Sequence, residues 1–391
     1  MMRKIVIALG LAASLCASPV VKAEDGVQDD TIFLAGSNAL SGAVASNCAP
    51  VTYGAKAWFD KVNTEGGIHG RKIDYNVLDD AYSPQRAIGN VRRLLDQDKV
   101  FGIFGGCATS TSAAILSYLT ELPDVPYLFP WAGMNELVQP TKKSVFALLP
   151  NYVFQLEAML PFGLQKLNPK PKTAGILAMN IPGVEDLRKT AREIFEANGI
   201  EVVYDEIFEV TVPDRSPYIL QLKSRSPDIL LVSDAAAGAA KDFLEMKRQN
   251  WKPAHVFGVA TMTAEQFLDP VGTFADDIVT ASGMVLPPTA PEAKACVDAL
   301  KTSYPDVKPN HFTMFGCLSA IIAVEAMNRA GKDLTRQGLV DALNNMRDFN
   351  TGISGPISFS PDNHMGVQSI IPFGVKGGKF VVLGDPLTPA K

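Results

Sequence analysis

From Thr31 onward, short apolar runs alternate with stretches whose apolar residues recur at helical spacing. "TIFLAG" (31–36) reads as a buried strand, 50–64 as an amphipathic helix and "IDYNVLDD" (73–80) as the next strand. Ser83 as cap and Pro84 at a first helical position open another helix, followed by "VFGIFGG", a helix over 109–121 and "VPYLFP". The alternation restarts after Pro150, with a helix from Tyr152, then "AGILAMN", a helix over 184–198, "EVVYDEIF", a helix over 216–225 and "DILLVS". A helix over 236–249, the strands "HVFGVA" and "DIVTASGMVL", helices over 291–303, 311–330 and 334–346, and the terminal strands "VQSIIPFGV" and "KFVVLG" complete the pattern. Strands alternating with helices of this length predict an α/β fold with parallel sheets covered on both faces.

The chain has 391 residues, more than one hydrophobic core usually serves, so two lobes are expected. Its first residues change the picture further. Arg3 and Lys4 precede an apolar run over 5–15, and "VKA" at 21–23 follows, which is the pattern of a secretory leader cleaved after Ala23. The run is too short for a spanning helix, and Leu15 before Cys16 argues against a lipid-anchored cysteine. Losing residues 1–23 removes Arg3, Lys4 and Lys22 and no acid, taking the formal charge from −5 to −8, so nucleic acid is not an expected partner. Cys48, Cys107, Cys296 and Cys317 then remain, an even set for an oxidising compartment and not spaced as metal ligands.

The stretch "NTEGGIHGRKIDYNVLDD" (63–80) gathers a histidine, two basic residues, four carboxylates and three glycines. Gly66 and Gly67 suit a helix stop, and His69 between Gly67 and Gly70 belongs to a tight turn, where a side chain points to water. Asp79 and Asp80 close a strand at the carboxyl edge of a parallel sheet, where α/β proteins place ligands. Capping and loop hydrogen bonds before "SPQRA" are the preferred account of them. The passage reads as a structural handover from helix to strand.

Leu40, Ser41 and Gly42, the "YGAKAW" helix, "GGIHGRKI" and "DDA" with its "SP" cap resemble the amino-terminal lobe of periplasmic solute-binding proteins of the leucine/isoleucine/valine-binding type. The resemblance continues through "FGIFGGCATSTS", "VPYLFPWAGMNEL", "PDILLVSDAAAG" and "HFTMFGCLSAIIAVEAM". It implies a type I periplasmic binding protein fold, two doubly wound lobes joined by three crossing strands, with the ligand in the cleft between them. The crossings fall near 147–151, 281–284 and 370–373, so lobe 1 comprises 24–148 and 284–369, and lobe 2 comprises 149–283 and 370–391. In that strand order the loops carrying Cys48 and Cys107 are neighbours, which suggests one disulfide there and a second, Cys296 to Cys317, tying two helices; sequence alone leaves the connectivity open.

In "GGCATSTSAA", two glycines end a buried strand and Thr109, Ser110 and Thr111 open a helix, so free N–H groups and hydroxyls there suit a carboxylate; an ordinary helix cap is the competing reading. The resemblance implies that positions matching Thr109 and Gly133 contact the charged groups of a bound amino acid, and Gly133 has no side chain to do so. Where amino-acid binders hold the ammonium with an acid and tyrosines, this chain has "MNIPGVED", "DAAAG" and "GVATMT", small or apolar at the matched positions, with Asp234 the one acid placed to replace them. Trp131 stands where amino-acid binders carry a small residue, as cleft wall or as core filler, and Tyr152 and Phe312 fall near the hinge and rim. The candidate ligand-binding set is Asn47, Cys107, Ala108, Thr109, Ser110, Trp131, Ala132, Gly133, Tyr152, Pro182, Asp234, Ala235, Thr261 and Phe312.

No nucleophile elbow, zinc-protease motif, phosphate loop, dinucleotide fingerprint or C-x-x-C pair occurs, and His69, His255, His311 and His364 are scattered, so neither an enzyme nor a cofactor or metal is expected. The expected molecule is an exported monomer that delivers a small carboxylate, an aromatic or otherwise apolar acid, to the permease subunits of an ABC importer. A branched-chain amino-acid binder of the same importer type, and a ligand sensor for a chemoreceptor or kinase, are the alternatives.

Overall fold

The computed structural model describes residues 24–389; the expected leader and its cleavage point after Ala23 lie outside the described residues. Five strands, β1 (Thr31–Asn38), β2 (Lys72–Asp79), β3 (Gly102–Phe104), β4 (Tyr127–Leu128) and β5 (Val145–Phe146), form an all-parallel sheet in the order β2-β1-β3-β4-β5. Seven more, β6 (Thr173–Met179), β7 (Glu201–Phe208), β8 (Ile229–Ser233), β9 (His255–Gly258), β10 (Val279–Gly283), β11 (Ile371–Lys376) and β12 (Lys379–Val382), form a second sheet in the order β12-β11-β10-β9-β8-β6-β7. Its first five members in sequence are parallel, while β11 and β12 add antiparallel. β8, "ILLVS", is buried at every position, as a central strand covered on both faces requires.

Helices α1 (Ala45–Thr64), α2 (Pro84–Asp96), α3 (Thr109–Leu119), α9 (Lys294–Ser303), α10 (His311–Ala330) and α11 (Arg336–Asn344) belong with the five-stranded sheet. Helices α4 (Tyr152–Lys166), α5 (Val184–Ala197), α6 (Ser216–Arg225), α7 (Ala236–Arg248) and α8 (Glu265–Val271) cover the seven-stranded one. The chain passes between the two sheets three times, which gives the two-lobed architecture expected. Next to these passages, Ala147 bridges Met365, Val285 bridges Ser354 and Ile370 bridges Leu387.

α10 is apolar and long enough to cross a membrane, yet its most apolar window is 78% buried, so it is the core helix of its lobe. It crosses α1 at close range: a Cβ on Gly54 would collide with the Thr313 carbonyl, and one on Gly316 with the Val51 carbonyl. α1 itself begins at Ala45, earlier than the expected start at Pro50. Proline inside a helix leaves the carbonyl four residues back without its partner. Here that carbonyl is Ser46 O, and Gln266 Nε2 donates to it at 2.9 Å.

The stretch at 63–80 is structural, as its pattern suggests. His69 lies in an exposed turn at φ 48° with Nε2 3.1 Å from the Asn328 carbonyl. Asp79 accepts from the Leu40 and Ala81 N–H groups at 3.0 and 2.9 Å, and buried Asp80 from Ser37 Oγ at 2.8 Å and the Tyr82 N–H at 2.9 Å.

Candidate functional site

The carboxyl edges of both sheets face one another, and the best-equipped point of that interface is the start of α3. Its cap, Ala108, adopts φ 86° and ψ 131°, a conformation unfavourable for a residue with a Cβ, and no side chain caps the helix. The N–H groups of Thr109, Ser110 and Thr111, which the first helical turn leaves without intrahelical acceptors, therefore remain open. Together with the helix dipole they form a cradle for a negative group.

Beside that turn lies a cavity of about 40 Å³, room for about a single water, so the lobes must part to take a larger ligand. From the five-stranded lobe it is lined by Val44, Asn47, Cys48, Tyr82, Cys107, Ala108, Thr109 and Trp131; Tyr152, Met179, Ile181, Ala235 and Thr261 face them from the other side. None of these side chains carries a formal charge. Thr109 Oγ1 and the Tyr152 hydroxyl are 3.1 Å apart, as are the Tyr82 hydroxyl and Ser110 Oγ. Burial pushes the Tyr152 phenol up to about 12 and also raises Tyr82, so both act as neutral hydroxyls.

Gly133 explains how Tyr152 reaches this place. A Cβ there would sit 2.6 Å from the Tyr152 ring, and the Gly133 carbonyl accepts the Tyr152 N–H at 2.8 Å. The missing side chain is thus replaced by a phenol from the facing element. Trp131 combines both roles open to it: it lines the cavity while packing edge-on against Phe312 and Phe315, with centroids 5.1 and 4.6 Å away.

A family model described as "Periplasmic binding protein" matches residues 31–379. The chain belongs to that family. This periplasmic binding protein is 25% identical over 341 residues to a Leu/Ile/Val-binding protein homolog 7 of Brucella suis, covering 84% of this chain and 83% of the relative. Its fold is that of a branched-chain amino acid ABC transporter protein from Thermus thermophilus with bound valine (TM-score 0.81, 22% identity, 93% and 98% of the two chains). It is also that of an ABC transporter solute-binding protein from R. palustris in complex with benzoate (TM-score 0.80, 19% identity, 92% and 98%). The family is extracytoplasmic, and its members hold a small molecule and deliver it to an ABC transporter; family and fold are those of solute-binding proteins.

In this periplasmic binding protein, the cavity brings together Asn47, Cys107, Ala108, Thr109, Trp131, Tyr152, Ala235 and Thr261 of the expected set. Six others stand elsewhere. Ser110 holds Tyr82 from the second tier, Ala132 is buried beside the strand edge, and Gly133 supports Tyr152. Pro182 lies in an open groove at the rim with Glu136, Glu185 and Asp186, and Phe312 is wholly buried behind Trp131.

Asp234 requires a correction, because it is not available to a ligand amine. It is 2% exposed, accepts from Arg215 at 2.9 Å and spends its other oxygen on the Ala235 N–H at 2.6 Å. Asp242 lies 3.4 Å from the same guanidinium, which also stacks over Phe208 at 3.8 Å. Burial pushes Asp234 up to about 6 and raises Asp242 as well, the like charge of Asp234 adding to its burial. The two acids and one arginine form a closed internal cluster.

Both expected disulfides are present: Cys48 to Cys107 with Cα atoms 5.2 Å apart, and Cys296 to Cys317, joining α9 to α10, with 6.0 Å. The first forms part of the cavity wall, tying α1 to the approach to α3. Sequence reasoning missed Val44, Tyr82, Met179 and Ile181. Tyr82 had a visible signal, standing two residues beyond Asp80 at the sheet's carboxyl edge. Ile181 neighbours the chosen Pro182, and only the course of the loop after β6 decides which of them turns inward.

Proposed function

We propose that this protein captures a small carboxylate with an apolar body, aromatic acids foremost, and hands it to the permease subunits of an ABC importer. The observation that carries this reading is a cavity with open donors at the start of α3 and no charged side chain in its wall. An α-ammonium desolvated there without an acid would lose several kcal/mol. Trp131, Tyr82 and Tyr152 supply ring surfaces, each worth roughly 1.5–3 kcal/mol to a fully buried apolar partner. The benzoate-bound relative of the same fold supports the aromatic class, while the valine-bound relative and the Leu/Ile/Val-binding homologues favour a branched-chain amino acid instead.

The chain acts as an exported monomer, freed of residues 1–23, and closes by bending at 147–151, 281–284 and 370–373. Calorimetry and thermal shift against benzoate, cinnamate, hexanoate, leucine and valine separate the two ligand classes. The acids should raise the melting temperature, about 2.7 kcal/mol of stabilisation being expected at a concentration 100 times Kd. Tight leucine or valine binding with no response to the acids overturns the proposal. Loss of acid uptake on deletion assigns delivery, whereas intact uptake with lost chemotaxis assigns sensing.

A further inference from the structure

α8 starts at the cleft, and its first two side chains both reach into the facing lobe. Glu265 Oε2 accepts the His311 N–H at 3.0 Å, at the first position of α10. Gln266 Nε2 donates to the Ser46 carbonyl at 2.9 Å, on the first turn of α1. Each receiving group is one that helix geometry leaves without a partner: an N-terminal N–H in α10, and in α1 the carbonyl that Pro50 cannot serve. The two receivers are fixed relative to one another, because Gly54 and Gly316 let α1 and α10 touch backbone to backbone. They also adjoin the cavity, since Asn47 and Cys48 line it and the His311 ring packs edge-on against Trp131 at 5.5 Å.

We propose that Glu265 and Gln266 are positioning residues for ligand capture: a two-pronged clasp that holds the lobes shut and sets residence time without touching the ligand. Burial raises the Glu265 carboxyl above its ordinary range, so closing carries a desolvation cost that a seated ligand offsets. The clasp rests on the capture reading but not on the ligand's identity, and its test keeps the two apart.

Spin labels at Glu65→Cys and Lys247→Cys, exposed sites on the two lobes, report lobe separation by pulsed dipolar spectroscopy in the protein with both disulfides intact. Without added ligand, Glu265→Ala/Gln266→Ala should shift the distribution to longer distances while leaving the melting temperature within a few degrees. For whichever of benzoate or leucine binds, the dissociation rate should rise about tenfold with the association rate little changed. An unchanged distance distribution in a folded variant overturns the clasp. If neither probe binds, the distance measurement still decides. Gln266→Glu, which turns a donor into an acceptor facing a carbonyl, should open the lobes as far as the double variant; closure retained in it overturns the clasp as well.

Discussion

At the residue scale, the candidate site is governed by what Gly133 leaves out. Its bare Cα lets Tyr152 lie against the strand edge and bring a phenol to Thr109. Gly133→Ala should therefore displace that ring, costing about 1–3 kcal/mol of stability. Ligand affinity should fall tenfold or more by calorimetry, and adding Tyr152→Ala should not restore it. Thr109 and Trp131 were legible in the sequence, because a helix start after a glycine pair and an outsized aromatic residue are local signals; the cavity-facing cystine was suggested only by the strand order that the family resemblance implies. Asp234 misled because a sequence shows an acid and not its partner: Arg215 lies nineteen positions away and reaches it only through the packing of β8, α6 and α7. Met179 and Ile181 were illegible for a related reason, since their direction depends on where the chain turns after β6.

At the element scale, α10 was readable almost to the residue, with Asn310 capping one end and Gly331 at the other. The start of α1 was not, because the carbonyl left free by Pro50 is served by Gln266 from a remote element. β5 was missed as a strand, being two residues long and recognisable only by its pairing with β4. The α1–α10 crossing shows how little slack the packing has. Gly54→Ala would drive a methyl group into the Thr313 carbonyl and force two backbones apart. Chemical denaturation should show a loss of about 2–3 kcal/mol, larger than the gain in helix propensity of roughly 1 kcal/mol from replacing glycine.

At the scale of the whole molecule, buried histidines shape the response to acid. His311 is enclosed near the cleft, and its burial lowers the imidazole to about 3, while His255 is lowered to about 4. Unfolded, each takes up a proton near pH 6.5, so the unfolded chain binds more protons below that value. Their contribution to stability is complete above about pH 6.5 and declines as the pH falls toward the folded values. Between pH 6 and 4 the protein should lose up to about 1.4 kcal/mol per pH unit more than His311→Gln does, as measured by denaturation at each pH. The order of strands and helices, and the division into two lobes, followed from periodicity and length. How tightly the lobes meet did not, since it rests on single side chains that reach across the cleft. That closeness gives the Cys48–Cys107 bridge an unusual vantage. Both sulfur-bearing residues are sealed from bulk water, each about 1% exposed, and line the very space a cargo would fill. A reductant meets them only in a gaping molecule, so the pace at which free thiols emerge becomes a dye-free clock for breathing, one that a lodged cargo would slow.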